Sequence, residues 1–163
     1  MHPKKMILTA LLIALTAVTT MVVSVPVPAV KGYINIGDSV VILSGLIFGP
    51  WAGAAAGAIG SSLADLLLGY TFWAPWTFVI KGLEGFLAGW LILRSRKETH
   101  LSAALAASAA AAAMVLGYFV ASSIIYQSVP IAVMALPGDL IQGGVSALLC
   151  LVLMPPIKKY LSL

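Results

Sequence analysis

Six apolar stretches, almost uninterrupted by charge, take up most of this 163-residue chain, at about 6–25, 36–49, 52–69, 74–93, 101–125 and 136–154. A helix needs ~20 such residues to cross the hydrocarbon of a bilayer, and all but the short second stretch come close to that length. Only 9% of the residues are charged, against roughly 25% in a soluble domain, so there is too little charge to solvate a globular surface. A cytosolic enzyme, a secreted disulfide scaffold and a disordered tail are all excluded. The expected fold is an all-α membrane protein, a compact bundle of six transmembrane helices forming a single domain over residues 1–163.

Lys4 and Lys5 ahead of the first stretch also fit a signal peptide. That stretch is longer than the ~7–15 residues of a signal core, and no small-x-small cleavage site follows it. We read it as a retained helix that stops at Val25-Pro26-Val27-Pro28. The cations then test the count. Lys4 and Lys5 precede the first span, Arg94, Arg96 and Lys97 follow the fourth, and Lys158 and Lys159 follow the sixth. Even numbers of spans separate the three clusters, so six helices put them all on one side. The loops of the other face hold only Lys31. By the positive-inside rule both termini are expected in the cytoplasm. The formal charge of +4 therefore reports topology, and no nucleic acid is expected as a partner.

Small residues supply the packing signal. Gly53, Gly57 and Gly60 punctuate the third span, Gly82, Gly85 and Gly89 the fourth, and the run from Ala109 to Ala113 the fifth. Lipid gives no hydrophobic drive between helices, so close backbone approach at small residues takes its place. On the first span Ala10 and Ala14 lie one turn apart, with Thr9 and Ala17 nearby. That stripe suits a helix of this chain or of a partner equally well.

Ionisable groups within a span are costly and mark function by default. Five qualify: Asp38, Asp65, Lys81, Glu84 and Asp139. In the six-span topology Asp38 lies at the outer end of its helix, Asp65 ~6 Å below the outer end of the third, and Lys81 with Glu84 roughly 10–15 Å deep. Asp139 opens the sixth span, with Gln142 one turn on. All five thus fall in the outer half or near the midplane. A proton or ion path needs polar groups at both depths, whereas a pocket open to the outside needs them at one. Each has a plainer reading. Asp38 and Asp139 could cap their helices, Lys81 and Glu84, three apart, could neutralise each other, and Asp65 could bridge to Lys81. Aromatics gather at the same level, among them Trp73 and Tyr126, which suit an interfacial belt. Trp76, close to Lys81, suits either a belt or a small-molecule pocket.

No catalytic constellation appears. His2 and His100 lie at the cytoplasmic ends, and HExxH, phosphate-loop and nucleophile-elbow motifs are absent from the sequence. The single cysteine, Cys150, permits no intrachain disulfide and suggests no metal site. We expect no enzyme, no cofactor and no metal, and any uphill transport must draw its energy from elsewhere.

The stretches Gly32-Tyr-Ile-Asn-Ile-Gly-Asp-Ser39, Phe48-Gly-Pro-Trp-Ala-Gly53, Gly60-Ser-Ser-Leu-Ala-Asp65 and Lys81-Gly-Leu-Glu-Gly85 resemble the substrate-binding S components of energy-coupling factor (ECF) vitamin transporters. Within these the chain looks most like the group for riboflavin, hydroxymethylpyrimidine or pyridoxine. The resemblance covers nearly the whole chain. It implies a prokaryotic cell-membrane protein that binds a vitamin in an outward pocket and works with a transmembrane T component and two ATP-binding subunits. It implies that Ala10-Leu-Leu-Ile-Ala14 contacts the T component and that the loop from Pro26 to Ile36 is a lid. By the same analogy Asn35, Asp38, Asp65, Trp76, Lys81, Glu84, Asp139 and Gln142 line or support the site. With Lys81 available for an anionic or phenolate-like oxygen, the smaller ring of pyridoxine or hydroxymethylpyrimidine is the expected ligand. A riboflavin-specific S component, a stand-alone proton-coupled transporter and a structural membrane protein are the alternatives.

Overall fold

The computed structural model describes residues 3–27, 30–95, 97 and 99–161, and 86% of the structure is helical. His2, Pro28 and Arg96, which entered the sequence reading, lie outside the described residues. Six helices are present: α1 (Pro3–Val22), α2 (Gly37–Phe48), α3 (Pro50–Leu68), α4 (Ala74–Arg94), α5 (His100–Tyr126) and α6 (Val129–Leu161). Five are long and apolar enough to cross a membrane. α2 is the exception: its 12 residues span only ~18 Å at 1.5 Å per residue.

The chain departs from the all-α expectation between α1 and α2. Strands β1 (Ser24–Val27) and β2 (Gly32–Asn35) pair antiparallel, Ser24 opposite Asn35 and Val27 opposite Gly32. Val25, Pro26 and Val27, read as a helix stop, belong to the first strand of this hairpin; Pro26 is tolerated because a two-stranded ribbon is all edge. The hairpin occupies the level at which a full-length second helix would have begun. α2 therefore starts inside the bundle. Asp38, expected at its outer end, is fully buried beside Lys81.

The sixth helix also corrects the sequence reading. It runs from Val129 rather than residue 136 and passes through Pro137, Pro155 and Pro156 to Leu161. Each proline removes one backbone donor, but neighbouring helices in a membrane bundle can re-satisfy the freed carbonyls. Asp139 consequently sits ten residues inside α6 and caps nothing. Other boundaries follow local chemistry. Pro50 and Pro75 sit in the first turns of α3 and α4, where a missing N–H costs nothing. Thr99 and Ser102 form a reciprocal capping box at the start of α5. Gly69 closes α3 in the left-handed conformation, φ +86°.

α3 and α4 touch backbone to backbone. A Cβ on Gly57 would lie 2.1 Å from the Lys81 carbonyl oxygen, and one on Gly85 2.1 Å from that of Gly53, so only glycine allows this approach. Within α3 the turn Ala56–Ser61 is π-helical. Such turns recur at functional sites, and this one leads into Ser61 and Asp65. The buried alanines of α5 (Ala103, Ala106, Ala107, Ala110) pack with Ile42, Leu46, Ala88, Ile92 and Cys150. A second cluster around Trp73, Ile80, Met114 and Ala135 lies toward the hairpin. Large apolar side chains cover the outside, Leu101, Leu105, Leu116 and Leu148 among them, as a lipid-facing surface requires. Lys4 and Lys5, Arg94 and Lys97, and Lys158 and Lys159 fall at the helix ends and loop remote from the hairpin.

Candidate substrate-binding site

One cavity lies at the hairpin end of the bundle, with about 600 Å³ of space not filled by protein atoms, its open mouth included. Every element except α2 contributes to its lining. Thr20 comes from α1, Tyr33 and Asn35 from β2, and Ser61 and Asp65 from α3; Trp73 stands at the head of α4, which adds Thr77 and Lys81. α5 adds Tyr118 and Ser122, and α6 adds Ala135, Asp139 and Gln142. The spacings are helical: 61 and 65, 77 and 81, 118 and 122, and 135, 139 and 142 each share one face.

Beneath the cavity lies a buried charge network. The Lys81 ammonium donates to Asp38 Oδ1 and lies 3.2 Å from Glu84 Oε2. Gln142 Nε2 donates to Asp38 Oδ2 at 2.8 Å, while Gln142 Oε1 accepts the backbone N–H of Asn35 at 2.7 Å. Asp38 and Glu84 are 0% exposed and Lys81 only 1%. The expected Lys81–Glu84 pairing is present, with Asp38 as a third member. Asp38 does not cap α2; instead the Asn35 side chain accepts the Gly37 N–H at 2.8 Å. Nor does Asp65 bridge to Lys81: its Oδ1 accepts the Tyr33 hydroxyl at 2.6 Å. Burial first, and then the Asp65 carboxylate, hold that hydroxyl protonated, well above the ordinary tyrosine range.

Lys81 is thus engaged by two carboxylates, which revises the idea that it waits for an anionic oxygen. Trp76 is revised too. It is half-buried against the cluster around Trp73 and Ile80, and the indole facing the cavity belongs to Trp73, which is 5% exposed. Trp73 Nε1 and the Tyr126 hydroxyl both donate to the Val30 carbonyl, so neither is merely part of an interfacial belt. Trp73 stands edge-on to Tyr118, with centroids 5.8 Å apart, and Lys81 Nζ lies 5.4 Å from the Tyr118 ring centroid. Thr20, Ser61, Thr77 and Ser122 were not singled out from the sequence, and Tyr33 and Tyr118 stood out only as aromatics at the outer level. For Ser61 and Thr77 a signal existed: each lies one turn before an intramembrane charge, Asp65 and Lys81 respectively.

Several buried polar atoms have no hydrogen-bond partner, among them Thr20 Oγ1, Ser61 Oγ and Asp65 Oδ2 in the cavity wall. Such groups are costly when dry, and a ligand bearing complementary groups would satisfy them. Aromatic faces with a few convergent polar atoms are the makings of a small-molecule site. Among the described residues no His, Cys, Asp and Glu cluster could hold a metal ion, and His100 begins α5 at the far end. Ala10 and Ala14 both face outward on α1 with Ile7, Leu11 and Val18, whereas Ala17 turns into the bundle.

A solved structure described as the S component of a bacterial ECF transporter superposes with a TM-score of 0.76 over 99% of both chains, at 20% identity, which establishes a shared fold. An uncharacterized Pyrococcus woesei protein is 43% identical over 110 residues, 67% of this chain and 72% of that protein. A Streptococcus pneumoniae UPF0397 protein is 37% identical over 68 residues, 41% of this chain and 36% of its own length. The family model for the S component of ECF-type riboflavin transporters matches residues 1–159. A bundle of membrane-length helices enclosing a polar cavity at one end agrees with that match, and the chain belongs to the ECF-type riboflavin transporter S component family: it is a membrane-embedded substrate-binding subunit and not an enzyme.

Proposed function

We propose that this S component captures a small water-soluble vitamin or vitamin precursor, hydroxymethylpyrimidine or pyridoxine, in the cavity beneath the hairpin. It hands the ligand inward together with a transmembrane T component and two ATP-binding subunits in a prokaryotic cell membrane. The observation that carries the reading is the cavity itself, lined by buried polar groups and by Tyr33, Trp73 and Tyr118, at the end remote from the cation clusters. With the cations cytoplasmic, both termini are inside and the cavity faces out. Asn35, Asp65, Lys81, Asp139 and Gln142 would then line the site, Asp38 and Glu84 would set the charge of Lys81 from below, and Trp76 would support Trp73 from behind. Ala10 and Ala14, exposed on α1, would form the face toward the T component.

Riboflavin is the second reading, favoured by the family's description and by Trp73 and Tyr118, whose rings could hold an isoalloxazine. A proton-coupled carrier is less well supported. The buried charged side chains among the described residues are Asp38, Asp65, Lys81 and Glu84, all at the cavity end, and the core cluster of the opposite half holds apolar side chains and Cys150. The test is a titration of the purified protein with hydroxymethylpyrimidine, pyridoxine, riboflavin, thiamin, folate and biotin, followed by tryptophan fluorescence. Saturable quenching by a compound on this panel, together with co-purification of an ATP-binding partner, is expected. Absence of both would refute the assignment.

A further inference from the structure

Resting on the reading of this cavity as the substrate site, the geometry points to Asp65, with Ser61 and Thr20 lining the same cavity, as the subsite for a nitrogen-bearing, hydrogen-bond-donating edge of the ligand. An aminopyrimidine presents such an edge. The Asp65 carboxylate is 3% exposed and faces the cavity. Its Oδ1 is filled by the Tyr33 hydroxyl at 2.6 Å. Thr77 also lies beside the Asp65 carboxyl group, and among the described residues Oδ2 has no hydrogen-bond partner. One acceptor is thus held in a fixed direction by Tyr33, and the other stands unpartnered in the cavity wall among the described residues.

Two further groups share this state. Ser61 Oγ and Thr20 Oγ1, 3% and 1% exposed, are also unpartnered in the cavity wall. Hydroxyls can donate or accept, so they suit a hydroxymethyl substituent next to the nitrogen edge. The charge balance points the same way. Four carboxyl groups (Asp38, Asp65, Glu84 and Asp139) stand in or under the cavity against one cation, Lys81. Lys81 is already engaged by Asp38 and Glu84. N–H donors on a basic ring suit that surplus of acceptor groups. The exocyclic amine and adjoining ring nitrogen of an aminopyrimidine can both carry protons toward Asp65. The imide edge of riboflavin offers one N–H between two carbonyls, which would face the carboxylate, and pyridoxine offers a single pyridinium N–H with no amine beside it.

The experiment uses the full-length protein in detergent and two probes, 4-amino-5-hydroxymethyl-2-methylpyrimidine and the analogue with a 4-oxo group in place of the amine, titrated by calorimetry. The wild type is expected to bind the amino compound at least about tenfold more tightly, the scale of one charge-assisted hydrogen bond. Asp65→Asn, nearly isosteric, is expected to weaken the amino compound about ten- to a hundredfold while leaving the 4-oxo compound within about threefold. Tyr33→Phe should keep the preference. Equal binding of the two probes by the wild type would overturn the subsite without any variant, as would an Asp65→Asn protein that weakens both alike. Tightest binding of riboflavin or pyridoxine, unaffected by Asp65→Asn, would also overturn it while leaving the S-component reading intact. No saturable binding of any vitamin would remove both.

Discussion

Replacing Lys81 by methionine tests the buried charge network directly. The side chain is 1% exposed, donates to Asp38 and lies 3.2 Å from Glu84. Methionine keeps most of the volume and removes the charge, leaving two fully buried carboxylates without a cation. Breaking a buried pair from one side costs about 3–5 kcal/mol. For a chain of this size about 1 kcal/mol corresponds to roughly 2–4 °C in melting temperature, so Lys81→Met should melt about 6–20 °C below the wild type. The triple variant Lys81→Met, Asp38→Asn, Glu84→Gln removes the stranded charges and should recover most of that loss, because the penalty lies in uncompensated carboxylates rather than in a missing contact. Thermal unfolding followed by scanning fluorimetry in a single detergent at fixed pH reads both. A single variant that melts within about 2 °C of the wild type would refute the reasoning, and so would a triple variant no more stable than the single one.

Three further outcomes follow from named contacts. Trp73→Phe should abolish ligand-induced quenching of tryptophan fluorescence while Trp76→Phe retains it, since Trp73 faces the cavity; the reverse result would restore Trp76 to the site. Gly85→Ala would place a Cβ 2.1 Å from the Gly53 carbonyl oxygen, forcing α3 and α4 apart; a cost of about 2 kcal/mol or more should show as reduced folded yield and a lowered melting temperature, whereas wild-type behaviour would mean the helices are not that close. Ala14→Arg, on the exposed face of α1, should prevent co-purification with the T component and ATP-binding subunits yet leave vitamin binding unchanged; intact co-purification would move the partner face elsewhere.

Placement in a membrane, the number of helices and the segregation of the cations were legible in the sequence because they rest on transfer energies and charge counts, which depend on residues one by one. The intramembrane charges were legible for the same reason: Asp38, Asp65, Lys81, Glu84 and Asp139 stand out wherever the helices lean, and their gathering at one level followed from span order alone. Helical periodicity carried further than it was taken, since Ser61 and Thr77 lie one turn from Asp65 and Lys81. The boundaries of α6 were not legible, because proline breaks a helix in water, whereas Pro137, Pro155 and Pro156 lie inside α6.

What the tertiary structure alone decided is who meets whom. Asp38 could cap its own helix or pair across the bundle; the short α2 lowers it to the level of Lys81, and the Asn35 side chain takes over at the Gly37 N–H. Trp73 stands just before α4 and Trp76 in its first turn, and only the fold seats the first in the cavity wall and leaves the second half-buried against the same cluster. Val25-Pro26-Val27 becomes a strand because a partner strand lies beside it. The sequence by itself settled that this chain lies in lipid and which side chains cannot be idle there, because burying a charge is costly in any fold. Their pairing joins residues distant in the chain, Asp38 with Lys81 and Gln142 and Tyr33 with Asp65, and only the packing of the helices and the hairpin brings these together.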